Sequence, residues 1–137
     1  MNALKGKWRL IPLAALAVVA AAVVAATATA RTSASPIRIA VLSDCQGAFG
    51  SFDNQDLAGV VTAMSQFAGA KAKNPNKPRA GWTGGSINGH PLKLVGIGCS
   101  NDRADTAIKE TKRLMEQLKA DILIGPLSGD ESIAVAN

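Results

Sequence analysis

Aromatic residues are nearly missing from this 137-residue chain, with two Trp, three Phe and no Tyr, 4% in all. Scarce aromatics, and Lys and Arg interspersed with Asp and Glu, argue against a nucleic-acid surface, which needs clustered cations and stacking faces. There are only two cysteines and one histidine. Cys45, Cys99 and His90 are too few and too scattered for a metal-ligand set. His90 lies in Asn88-Gly89-His90-Pro91, a turn signal, and reads as a solvated turn residue. The phosphate-cradling G-x-x-x-x-G-K and the dinucleotide G-x-G-x-x-G patterns are absent. Gly125-Pro126-Leu127-Ser128-Gly129 misses the G-x-S-x-G nucleophile elbow by one position. No catalytic constellation emerges, so neither an enzyme nor a cofactor is expected.

Long apolar runs are confined to the start. Lys5, Lys7 and Arg9 precede an alanine-rich stretch from Leu10 to Ala26, and Thr27-Ala28-Thr29-Ala30 then places Ala28 and Ala30 in the A-x-A positions of a processing site. Residues 1–30 therefore read as a secretory signal peptide; retained, the same run would serve as a membrane anchor. No cysteine near the cut offers a lipid anchor. Processing takes three of the fifteen basic residues and no acid, so the formal charge falls from +5 to about +2. The expected product, residues 31–137, is exported to the periplasm or extracellular space. An oxidising compartment favours pairing Cys45 with Cys99, although two buried thiols or two reactive ones fit the residues as well.

The rest alternates between two periodicities. Ile37 to Leu42 is a short, β-branched apolar run, the pattern of a strand buried in a parallel sheet. Leu57, Val61, Met64 and Ala68 recur at helical spacing, with Val60 and Phe67 widening the stripe and Asp53 and Asp56 near its start. Residues 71–86 are polar and rich in Pro and Gly, and predict a surface loop without regular structure. A small hairpin around Asn88-Gly89 leads into a strand over 92–97. A second helix, capped by Asp102 or Asp105, turns Ala104, Ile108, Thr111, Met115 and Leu118 inward, with Ala107 and Leu114 beside them. Residues 121–125 form a third strand, and 132–137 begin a third helix. The order strand, helix, strand, helix, strand, helix predicts an α/β fold with a doubly wound parallel sheet. Ligands bind such sheets at the carboxyl ends of the strands, here 43–52, 99–102 and 126–131.

Two features of those segments suit a small solute. Phe49 and Phe52 flank a glycine, where a ring could meet the aliphatic part of a ligand or else anchor the loop on the core. Ser128 precedes a helix start, whose unpaired N–H groups and positive dipole end suit a carboxylate; alternatively Ser128 or Asp130 only caps the helix.

Taken together, Ile37-Arg38-Ile39-Ala40-Val41-Leu42-Ser43 with Gln46-Gly47-Ala48-Phe49-Gly50, Ile87 to Leu94, and Asp121-Ile122-Leu123-Ile124-Gly125-Pro126 before Ser128 resemble the type I periplasmic solute-binding proteins, in particular the branched-chain amino acid binding proteins of ABC transporters. The resemblance spans about Ile37 to Asn137. It implies that residues 31–137 are the N-terminal part of the first lobe of a two-lobed Venus flytrap, truncated, that binds a small amino acid or related amide and delivers it to a membrane permease. The implied state is monomeric. Phe52 falls where the family's aromatic packs beside the ligand, and Ser128-Gly129 on the loop holding the carboxylate. Gln46 and Asp130 complete the candidate contacts. Where Gly129 falls the family often has a serine, which shifts the contact to Ser128 or a backbone N–H. A sensory receptor domain held by an uncleaved first helix is the alternative.

Overall fold

A computed structural model describes residues 34–137. The expected signal peptide, residues 1–30, lies outside the described residues. Strand β1 (Ile37–Asp44) lies inside a four-stranded sheet of order β4 (Ser86–Ile87), β5 (His90–Ser100), β1, β6 (Ile122–Ile124), and its last six residues are all buried. Both neighbours, β5 and β6, run parallel to it. A strand flanked and covered on both faces is apolar through its centre, which is why Ile39 to Leu42 read as an unbroken run. It extends two residues past the predicted end, through Ser43 to Asp44.

The sheet is mixed rather than wholly parallel. Asn88 and Gly89, both at positive φ (50° and 82°), make a two-residue turn that folds β4 (Ser86–Ile87) back antiparallel on the start of β5. Glycine and asparagine tolerate that left-handed backbone, and the local hairpin overrides the parallel pattern at this edge.

The two faces of β1 carry different cores. Ile39 and Val41 pack with Leu57, Val61 and Ala68 of helix α1 (Asp53–Ala68), which follows a short 3-10 turn at Gly50–Phe52. Ala40 and Leu42 pack with Ala107 and Leu114 of helix α2 (Ala104–Lys112), which continues as a π-helical turn over Arg113–Gln117. Helices thus cover both faces, as the alternation of strands and helices predicts. A third helix, α3 (Gly129–Ala136), follows β6 and packs against α2.

Three local expectations are corrected. Phe67 does not widen the buried stripe of α1. It stands roughly 80° round the helix from Leu57 and is 84% exposed. On α2 the buried line runs through Ala107 and Leu114, while Ala104 is exposed and Ile108, Thr111 and Met115 are only partly covered. The reason lies on β5. A side chain at Gly96 would come within 2.9 Å of Leu114 and 2.7 Å of Leu118, and one at Gly98 within 3.0 Å of Leu114, so these glycines admit Leu114 and Leu118 against bare strand backbone.

Residues 71–86, third, are partly ordered by pairing: β2 (Lys71–Ala72) runs antiparallel to β3 (Trp82–Thr83), with a 3-10 turn at Pro78–Ala80 between them. Trp82 is 2% exposed and closes the α1-side core. Arg79 holds the segment down with a paired contact to Asp53, Nη2 to Oδ1 at 2.5 Å and Nε to Oδ2 at 3.1 Å. A single buried aromatic in a polar run leaves no periodicity to read.

Candidate functional site

The segments leaving β1, β5 and β6 meet at the carboxyl end of the sheet. Ser43 pairs with Cys99 and Asp44 with Ser100 across β1 and β5. That register sets Cys45 beside Cys99, Cα atoms 5.2 Å apart, and the two form a disulfide across 54 residues of sequence. The Cys45 and Gln46 amides both donate to the Ser100 carbonyl, at 3.2 and 3.3 Å. Gly47 lies so close to the second segment that a Cβ there would be 2.4 Å from the Asn101 carbonyl oxygen. The third segment is seated as tightly. At Gly125, φ +102°, a Cβ would fall 2.0 Å from the Leu42 carbonyl oxygen, so only glycine fits.

Beside these contacts lies an open depression of about 400 Å³, lined by Phe49, Phe52, Gln55, Asp56 and Leu127. The phenyl rings are 6.4 Å apart, inclined at 45°. Phe52 is 49% exposed, which excludes the core-anchor role for this ring. The fold therefore brings Phe52 from the first segment together with Leu127 from the third, and Leu127 adjoins Ser128 and Gly129.

Ser128 is the buried N-cap residue of α3, yet neither it nor Asp130 caps the helix through its side chain; the Ser128 carbonyl accepts from the Ser132 amide at 3.0 Å and hydroxyl at 2.8 Å. Gly129 and Asp130 are exposed. Gln46 is exposed as well, and none of Gln46, Ser128, Gly129 and Asp130 lines the depression. His90 lies at the opposite end of β5, its Nδ1 2.9 Å from the Ser35 carbonyl. Asp102 and Asp105, the expected caps of α2, do not cap it. Arg103 holds the N-cap position with extended backbone, and its amide donates to Glu131 at 2.9 Å.

The strongest polar feature was not expected. Asp44 and Glu131 are both completely buried beneath the meeting point of the three segments. Burial, reinforced by the neighbouring Asp44 carboxyl, pushes the Glu131 carboxyl above its ordinary value; the Arg103 amide, which donates to it, opposes this. Its one trace in the sequence is an acid directly at the end of an apolar strand.

The chain matches no protein-family model and no curated protein. Among the described residues no helix is long and apolar enough to cross a membrane.

Proposed function

We propose that this chain belongs to the first lobe of a type I solute-binding protein, and that it takes up a small amino acid or related amide outside the cytoplasm for an ABC importer. The observation that carries this reading is the aromatic-walled depression adjoining the start of α3. Phe49, Phe52 and Leu127 offer an apolar wall for an aliphatic side chain. The helix start, without a side-chain cap, offers backbone N–H groups and a positive dipole end for a carboxylate. The Cys45–Cys99 disulfide is compatible with an oxidising compartment. A mixed α/β sheet with helices on both faces accommodates the lobe assignment.

The test is a titration of the full chain with leucine, isoleucine, valine and alanine, followed by amide and aromatic NMR shifts. One wall of a two-walled cleft gives weak binding, in the millimolar range at about 4 kcal/mol. Shifts should concentrate at Phe49, Phe52 and residues 127–130, and Phe52→Ala should remove them. Saturable shifts confined to another surface, or none with any of the four amino acids, would reject the reading.

A further inference from the structure

Asp44 closes β1, and Glu131 stands in the first turn of α3. One oxygen of each is engaged. Asp44 Oδ1 accepts from the Ser100 hydroxyl at 2.6 Å and the Asp102 amide at 3.2 Å, and Glu131 Oε1 from the Arg103 amide at 2.9 Å. The donors belong to the link between β5 and α2, so two carboxyls hold three separate segments. The other oxygens, Asp44 Oδ2 and Glu131 Oε2, have no partner among the described residues. Two ionised carboxylates in a dry site repel and lose hydration, whereas a single proton lets one carboxyl donate to the other and satisfies both oxygens.

Among the described residues no basic side chain takes the place of that proton. The charged groups on α2 and its π turn, on the link before them and on α3 are Asp102, Arg103, Asp105, Lys109, Glu110, Lys112, Arg113, Glu116 and Asp130, of which Lys109 and Lys112 are exposed to solvent. Arg103 is turned to Asp105, the two side chains 68% and 72% exposed, and Arg113 is paired with Glu110. The described residues hold no group of three or more His, Cys, Asp or Glu able to bind a metal ion.

We propose that Asp44 and Glu131 form a proton-operated latch. With one proton between them they join the ends of β1 and β5 to the start of α3, and its loss as pH rises releases the 125–131 segment from the other two. The latch does not depend on what the neighbouring depression binds.

A carboxyl whose folded value is raised binds its proton more tightly in the folded chain, so stability falls as pH climbs from the ordinary 4.5 to the raised folded value and levels off above it. Across that window the folding constant drops up to tenfold per pH unit, which for a chain of this size lowers the Tm by about 5–10 °C per unit. The experiment follows the full chain by thermal melts from pH 4 to 9, with carboxyl ¹³C NMR of Glu131 and hydrogen exchange of residues 125–131. Expected are a Glu131 midpoint above 4.5, a Tm falling through the same interval, and faster exchange of 125–131 above it. Glu131→Gln, whose amide donates to Asp44 at every pH, should flatten that part of the profile. A Glu131 midpoint at or below 4.5, or an unchanged slope in the variant, would overturn the latch. So would a rise in Tm at alkaline pH on adding millimolar Ca²⁺ or Mg²⁺ that Glu131→Gln abolishes, which would make the pair a cation site. If the variant does not fold, the wild-type midpoint decides alone.

Discussion

Replacing both cysteines, Cys45→Ser with Cys99→Ser, tests how far the binding-end segments depend on their covalent tie. The bridge closes a loop of 54 residues. Chain entropy over that length gives about 4 kcal/mol, held almost wholly through the unfolded state. Domains of this size are stable by about 5–15 kcal/mol, so the loss takes a large share. At 4–8 °C per kcal/mol it corresponds to a Tm roughly 15–30 °C lower. The folded architecture should survive, because the register of Ser43 with Cys99 and the two amide bonds to the Ser100 carbonyl need no sulfur. Urea unfolding followed by circular dichroism gives the stability, and the m-value should rise as the uncrosslinked unfolded chain exposes more surface. A loss below about 1 kcal/mol, or two thiols reacting in the oxidised folded chain, would refute the reasoning.

Leu114, fully buried against Leu42 and the bare backbone at Gly98, should cost about 2–5 kcal/mol when changed to alanine; urea midpoints measure this, and a loss under 1 kcal/mol would mean the site collapses freely. Gly125→Ala should destabilise by more than about 2 kcal/mol, since its Cβ meets the Leu42 carbonyl at positive φ. Gly59→Ala, in the middle of α1 with open space around it, should instead gain about 0.5–1 kcal/mol, and melts of the two side by side separate crowding from backbone entropy. Glu110 behaves oppositely to Glu131: its bond from Arg113 holds the carboxyl below its ordinary 4.5, so its contribution is present above that value and is lost as pH falls through the lowered one. With Arg113 partly in solvent the pair contributes at most about 1 kcal/mol. The stability difference between wild type and Glu110→Gln should therefore vanish in acid and be small at neutral pH.

Much of the fold was legible because it is written in local periodicities. The continuous run of β1, the 3.6-residue spacing from Leu57 to Ala68 and the Asn88-Gly89 turn each depend on neighbours in sequence, where sterics and hydrogen bonding act directly. The strand and helix order predicted helices on both faces of the sheet, and the two cysteines at successive strand ends came out adjacent. Of the candidate contacts only Phe52 lines the depression, beside Leu127, the residue before Ser128; Gln46, Ser128, Gly129 and Asp130 do not line it.

Tertiary packing decided the rest. Which face of α2 turns inward follows from Gly96 and Gly98 on another strand, and the burial of Trp82 from the ladder that folds residues 71–83 back onto α1. Asp44 and Glu131, 87 positions apart, acquire their meaning only when β1 and α3 bring two carboxyls into one dry space. Dihedral preferences and hydrophobic spacing act over a few residues and are carried by the sequence alone. Desolvation and charge coupling act between groups that only the folded chain makes neighbours.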